Sequence, residues 1–238
     1  MKRNPLKNLL FFAAASVLAV ACTSAPDSDE AQVGDVKEEK EASAEAVAYA
    51  VDTDASVIEW IGTKTNGRHN GTVQLQSGTL QVKDGTIENG EFVMDMTTIL
   101  STDEKMDEEN NTKLTGHLKS ADFFKVEEYP SAKFVLTGVE VADQPVEENA
   151  DENTEEIDQY RVTNPTHMIS GNLTIRDVTK GITFPAKVEM TDKGITAIAK
   201  FNINRKDWNL DYEISAADII LNNTIHLGIN LVANKPSA

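Results

Sequence analysis

The chain has 238 residues, of which 40% are hydrophobic and 26% charged, as in a soluble globular protein with one sizeable core. Its 39 acidic and 22 basic residues give a formal net charge of -17, which argues against nucleic acid or an anionic bilayer surface as a partner. The single cysteine excludes an internal disulfide.

Residues 1–21 have the layout of a secretory signal peptide. Lys2, Arg3 and Lys7 precede an apolar run over residues 9–21. A run of about 13 residues is too short to span a bilayer as a permanent helix. The sequence therefore predicts an exported protein.

The cysteine, Cys22, follows the apolar run directly. Together with Leu18-Ala19-Val20-Ala21, it resembles a bacterial lipoprotein signal, in which the cysteine is lipidated and becomes the first mature residue. One departure is Ala19, where such signals prefer Leu, Val or Ile. The resemblance implies a lipoprotein anchored through Cys22, on the periplasmic side or the cell surface of the outer membrane. Ordinary signal cleavage nearby is the alternative.

Two acidic segments have hardly any large apolar side chains. Residues 22–47 are rich in Asp, Glu, Ser and Ala, and residues 143–158 carry eight acidic side chains and no basic one. Such composition is typical of solvated, disordered chain. We therefore predict a disordered acidic tether over residues 22–47 and an acidic loop insert at 143–158, within a folded domain over residues 48–238.

The folded domain consists of short alternating segments separated by turn residues, which predicts an all-β sandwich or barrel. Asn66-Gly67 and Asp84-Gly85 are hairpin signals. A sheet of about eight antiparallel strands tends to close, because closure removes its edges. We predict an eight-stranded antiparallel barrel. Its strands are expected among the extended segments near residues 57–61, 69–76, 80–83, 91–96, 134–141, 160–162, 168–175, 182–190, 195–203 and 224–232.

One helical segment interrupts the strands. Ser101 and Glu104 fit a capping box, which predicts a helical section running to Phe124. Leu114, His117, Leu118 and Ala121 fall at helical spacing within it. Because the adjacent Phe123 and Phe124 need an apolar cover, we expect a lid packed on the sheet.

The residues from His117 to Phe134 resemble the signature of the YceI-like polyisoprenoid-binding family, His-Leu-x-Ser-x-Asp-Phe-Phe followed by Tyr-Pro-x-x-x-Phe. Residues 69–71, 171–180 and 203–208 resemble further motifs of the family, in the family order. The resemblance implies a lipocalin-like barrel with a long apolar tunnel that binds or carries an isoprenoid lipid or quinone outside the cytoplasm, with no cofactor. Asp177 departs from the pattern where relatives have Gly, and Leu114-Thr115 where many have Arg-Asp.

An eight-stranded barrel interior is either filled by side chains or open to one small ligand, and the mixture of large and small inward residues leaves both alternatives open. His69 lies on the same face as Val73 and Leu75, as a lipid head-group candidate or as a structural histidine. The other lipid-binding candidates, each also consistent with plain core packing, are the apolar residues Ile58, Trp60, Val73, Leu75, Phe92, Met94, Phe134, Leu136, Phe184, Val188, Phe201 and Leu227.

A barrel enzyme is a competing hypothesis. Its candidate residues are His69, His117, His226, Asp95 and Asp207, but the chain has no Gly-x-Ser-x-Gly, no His pair at i and i+4, no His/Cys metal spacing and no phosphate loop. We therefore predict no catalytic residue and no metal site. A module that binds another protein or a different small amphiphile is the remaining alternative.

Overall fold

The computed structural model describes residues 24–142, 159–214 and 220–236. The predicted signal peptide, Cys22 and the acidic insert 143–158 lie outside the described residues. Within the described ranges, no helix is both long and apolar enough to cross a membrane.

In the described parts of the chain, ten strands and the helix α1 follow one another. Each strand from β3 to β10 pairs antiparallel with the next, and β10 pairs with β3, which closes an eight-stranded barrel and confirms the predicted fold. The elements are β1 Gln32–Gly34, β2 Val47–Val51, β3 Val57–Lys64, β4 Gly67–Lys83, β5 Thr86–Ser101, α1 Glu108–Lys119, β6 Ser131–Val141, β7 His167–Ile175, β8 Val178–Met190, β9 Gly194–Asn204 and β10 Leu221–Asn234.

The strands are longer than the alternation indicates. The predicted segments 69–76 and 80–83 belong to the single strand β4, whose pairing with β5 shifts register between them. The hairpin after β4 turns at Asp84 and Gly85, with φ of 49° and 78°, which is the left-handed conformation that Asp-Gly supplies. Residues 160–162 do not form the predicted strand, and Tyr160 and Val162 are instead buried.

The helix begins later and ends earlier than predicted. Ser101 is the last residue of β5 and pairs with Gly71 across the sheet, so the predicted capping box at Ser101 is wrong. Asp107 caps α1 instead, and its carboxylate accepts a hydrogen bond of 2.8 Å from the Asn110 N–H. The helix ends at Lys119, and Phe123 and Phe124 lie in the following turn.

The predicted disorder of residues 22–47 needs correction for the part that the structure describes. Residues 24–46, which we term the N-terminal belt, run along the outside of the barrel. Pairing between β8 and β9 ends at Ala186 and Ala199, beside Pro185, which has no N–H to donate. There β1 pairs with β8, and the Ala31 N–H donates to the Asn202 carbonyl of β9 at 2.9 Å. The belt therefore bridges β8 and β9 where these two strands have separated.

Two buried asparagines hold the belt. The Asn172 side chain accepts from the Lys37 N–H and donates to the Lys37 carbonyl, both at 2.8 Å. The Asn202 side chain donates to the Pro26 carbonyl at 3.1 Å. Composition predicted disorder because the belt buries little apolar surface, whereas these side-chain amides satisfy its backbone instead.

The residues after the acidic insert contact the same belt. The Ser28 hydroxyl donates to the Tyr160 carbonyl at 2.5 Å, and the Arg161 guanidinium lies 3.1 Å from the Asp27 carboxylate. The N-terminal belt and the residues that follow the acidic insert therefore meet on the outer wall of the barrel.

Candidate functional site

The barrel interior is open. It contains a cavity of about 440 Å³, which we term the main chamber, within the size range of small-molecule sites. Along each strand, every second side chain points into the barrel. All the predicted lipid-binding candidates except Leu136 and Val188 line the main chamber, and His69 lines it too. Between a filled and an open interior, the structure thus supports the open one.

A second chamber of about 80 Å³ continues the interior away from the helix. Leu136 and Val188 line this chamber and not the main one. Small residues, among them Ala186, Ala197 and Ala199, form part of its wall. The predicted set of residues is therefore divided between two spaces rather than arranged along one tunnel.

Aromatic side chains stand where the two chambers meet. Phe92, Phe134 and Phe184 line both spaces. The rings of Phe92 and Phe134 are 6.2 Å apart, and those of Phe134 and Phe184 are 5.9 Å apart. Phe184 in turn stacks on Phe201 at 4.1 Å with only 15° between the ring planes. These residues form a row across the interior.

The helix and the turn after it cover one end of the main chamber, as the predicted lid. Leu114 and Leu118 of α1 and Phe123 and Phe124 of the turn line the chamber. The His117 ring lies 4.5 Å from the Tyr212 ring in an edge-to-face arrangement. The lid is thus an aromatic cluster that joins α1 to the segment after β9.

His69 lies at the wall of the main chamber and has a carboxylate partner. Its ring lines the main chamber, while Nδ1 lies 2.8 Å from the Asp103 carboxylate. Burial opposes the charge on Asp103, but hydrogen bonds from the Lys105 N–H and the His69 ring hold the pKa of the Asp103 carboxyl below its usual value. His69 is therefore a structurally partnered histidine at the chamber wall.

Arg205 is the most deeply buried cation at the chamber. It lies in a 3-10 turn, Arg205–Trp208, and its side chain is fully buried. Its guanidinium donates to the carbonyls of Leu210 and Asn222 and to Asn223 Oδ1. Because these contacts are within the protein, Arg205 fixes the segment that borders the chamber rather than presenting an open anion site.

Of the candidate residues of the enzyme hypothesis, only His69 and His117 line the main chamber. His226 faces the outer wall, where Nδ1 lies 3.1 Å from Asn202 Oδ1 and the ring contacts Tyr160 at 5.5 Å. Burial, with a smaller effect of Lys200, lowers the pKa of His226 to about 4. Asp95 accepts from its own neighbour Thr97. Over the ranges that the structure describes, no three His, Cys, Asp or Glu side chains are grouped to hold a metal.

Several lining residues were not anticipated. Ile225 and Ile229 share the inward face of β10 with Leu227, and Ile203 shares that of β9 with Phe201, so the same alternation identifies them. Leu210 and Tyr212 come from a segment without regular structure, where no periodic pattern signals an inward position.

Comparison with known proteins agrees with this architecture. A sequence model described as a YceI-like domain matches residues 49–233. BcnA from Burkholderia cenocepacia is similar in structure, with a TM-score of 0.56 at 15% identity over 77% of this chain and 99% of that chain. A polyisoprenoid binding domain from Saccharophagus degradans, implicated in plant cell wall breakdown, has a TM-score of 0.55 at 14% identity over 80% and 99%. At such identities these two structures show the fold alone, and no curated protein matches the chain. Because the family match covers most of the chain and the closed barrel has the fold of these structures, the chain belongs to the YceI-like family.

Proposed function

We propose that the barrel binds a long, apolar isoprenoid lipid or quinone, as a non-enzymatic carrier or store in the cell envelope. The observation that supports this most directly is the open main chamber, whose lining is almost wholly apolar. Each CH₂ group that leaves water contributes roughly 0.8 kcal/mol, so a prenyl chain binds tightly without strong polar contacts. The Saccharophagus neighbour, described as a polyisoprenoid binding domain, supports the same ligand class.

The ligand head group belongs at the lid end in this proposal. His69, His117 and Lys64 line the main chamber near α1 or the β3–β4 turn, whereas the second chamber is lined by apolar residues. A polar head group buried among apolar residues would lose its hydrogen bonds to water. The prenyl chain would therefore point from the lid toward the aromatic row.

The charges around the main chamber favour a neutral head group. His69 lies 2.8 Å from Asp103, His117 lies 3.9 Å from Asp122, and Arg205 lies 3.6 Å from Glu213. Lys64 is also engaged within the protein. A diphosphate binds best where several cationic side chains have no anionic partner, whereas here His69, His117 and Arg205 each lie beside a carboxylate. We therefore propose a quinone ring or a free prenol as the head, rather than a prenyl diphosphate.

Mass spectrometry of an organic extract of the purified full-length protein tests the ligand class. We expect a co-purifying neutral prenyl lipid or quinone. Gly62→Phe supplies the matched test, because Gly62 lines the main chamber and an added Cβ meets only Ile225, at 3.6 Å. This variant should lose the lipid. Gly67→Phe is the control, since an added Cβ at the β3–β4 turn has no neighbour within 4 Å. Lipid retained equally by both variants would contradict the proposal.

The same proposal includes anchoring of the mature protein through a lipidated Cys22. Its support is the sequence pattern of residues 1–22. Cys22→Ser should move the protein from the membrane fraction to the soluble fraction, and intact mass should show acyl chains on the unsubstituted protein only. Protease treatment of intact cells distinguishes the cell surface, where the protein is lost, from the periplasmic side, where it is protected. An unmodified Cys22 in membranes would contradict this part.

A further inference from the structure

We infer that Phe92, Phe134 and Phe184 form a partition that sets which length of prenyl chain the barrel accepts, with Phe134 as its movable member. The inference rests on the proposed function and concerns the selection of ligands within that class. Its basis is that these three side chains are shared by the walls of two unequal chambers, of about 440 and 80 Å³.

The partition is built into the register of the sheet. Phe92 of β5 and Phe134 of β6 are directly opposite each other, and Phe134 is opposite Leu173 of β7. Cross-strand partners on one face lie close enough for aromatic rings to touch. Phe92 and Phe134 are therefore neighbours across the sheet, and the contact of Phe134 with the Phe184 ring brings all three rings together where the two chambers meet.

The members of the partition differ in how firmly they are held. Phe184 is 5% exposed and stacks on the buried ring of Phe201. Phe92 and Phe134 are only half-buried although they lie inside the barrel, because free space borders both in the two chambers, and Phe134 is the one whose ring contacts both other members. A side chain that borders free space can change rotamer at low cost, whereas a close-packed one cannot.

A glycine accommodates the Phe134 ring against the wall. A Cβ on Gly171 would lie 2.3 Å from the ring atom Cζ of Phe134, so the ring occupies the place where a side chain of β7 would stand. Because the Phe134 ring also lines both chambers, it narrows the route between them in this position. A rotation of χ1 at Phe134 is then enough to widen or narrow the connection.

The second chamber has the chemistry of a tail site. Its walls are apolar side chains, and the small side chains of Ala186, Ala197 and Ala199 take up little of the space. A chain that ends in the main chamber gains nothing from this space. A longer chain gains the burial of its last units only when Phe134 gives way. Affinity should therefore rise with chain length up to the partition and flatten beyond it.

A length series of uncharged prenyl alcohols tests the inference on the full-length protein. Displacement of a fluorescent apolar probe gives the Kd of each alcohol for wild type and for Phe134→Ala. We expect the length at which the affinity of wild type flattens to move to longer chains in Phe134→Ala. The first isoprene unit beyond the wild-type limit should gain affinity by at least about tenfold, since burying even a few CH₂ groups yields that much.

Two further variants distinguish an effect of the partition from an effect of added free volume alone. Leu173→Ala removes bulk beside Phe134 but from the main chamber alone, so it should weaken binding at all lengths and leave the limit unchanged. Ala197→Phe fills the second chamber, and in combination with Phe134→Ala it should restore the wild-type limit. Phe134→Leu replaces Phe134→Ala if the latter does not fold.

The outcomes separate this inference from the proposed function. A folded variant at Phe134 with the wild-type length limit overturns the partition. A shift of the limit by Leu173→Ala as large as that by the Phe134 variant also overturns it, because free volume alone would then explain the result. If no prenyl alcohol of any length displaces the probe from wild type, the proposed function itself fails.

Discussion

The barrel interior and the N-terminal belt are stabilised in opposite ways. The interior is apolar and contains unfilled space, as the two chambers show. The belt buries few large side chains, yet Asn172 and Asn202 bind its backbone at two separated places. The contrast shows that an acidic segment with little apolar content can still be ordered when a folded wall supplies the partners for its backbone.

The largest expected loss of stability comes from a substitution in the close-packed part of the interior. Phe201 is 1% exposed and stacks on Phe184. Phe201→Ala should lower the free energy of unfolding by about 3–5 kcal/mol, because it removes a fully buried ring. Urea denaturation measures this loss. Phe134→Ala should cost less, because that ring already borders free space; equal losses would contradict an open interior.

On the belt side, the side chain tested is that of Asn202. Asn202→Ala leaves the Pro26 carbonyl and the His226 ring without their partner and should lower the free energy of unfolding by about 2–3 kcal/mol. Brief proteolysis should then cut within residues 24–37. Asn230→Ala, on an exposed position of β10, is the matched control and should be within about 0.5 kcal/mol of wild type. If proteolysis of Asn202→Ala is the same as that of wild type, the Asn202 side chain does not hold the belt.

Close approach of the belt to the wall is tested at Gly181. An added Cβ there would lie 2.1 Å from the Asp35 carbonyl, so Gly181→Ala should displace the belt and cost about 2 kcal/mol. Faster amide exchange at residues 31–37 measures the displacement. Gly138→Ala is the control, since its nearest neighbour would be 3.7 Å away. If Gly181→Ala also changed probe affinity in the main chamber, the belt and the interior would be coupled and not independently stabilised.

The pH dependence of stability reports on the wall beneath the belt. Burial lowers the pKa of His226 from 6.5 to about 4, so the unfolded chain binds the proton more readily between these values. The stability that the neutral His226 contributes is complete above pH 6.5 and is lost progressively as the pH falls toward 4. Urea midpoints measured over this range should fall with pH in wild type and less steeply in His226→Gln. Parallel curves for the two proteins would argue against a buried, neutral His226.

The smallest effect is expected from the ion pairs at the belt. Asp27 is 82% exposed beside Arg161, and such surface pairs contribute little. Arg161→Ala should lower the free energy of unfolding by less than about 0.5 kcal/mol, and added salt should abolish the difference from wild type. A loss comparable with that of Asn202→Ala would mean that charge, rather than the buried amides, holds the belt.

Local patterns predicted a large part of the molecule. Alternation of apolar residues identified the barrel strands and placed Ile58, Trp60 and Phe201 inward, and Asp84-Gly85 marked a hairpin. The start of α1 was missed because Ser101 and Asp107 both have N-cap chemistry, and only the pairing of Ser101 with Gly71 decides between them.

By itself, the sequence determined an antiparallel barrel with an apolar inner face, because side-chain direction in a strand depends only on position along the chain. Tertiary structure alone decided that the interior holds two chambers and that residues 24–46 are bound to the wall. Free volume depends on how side chains from different strands fill the same space. The belt depends on partners such as Lys37 and Asn172, which are 135 residues apart and meet only after the barrel has closed.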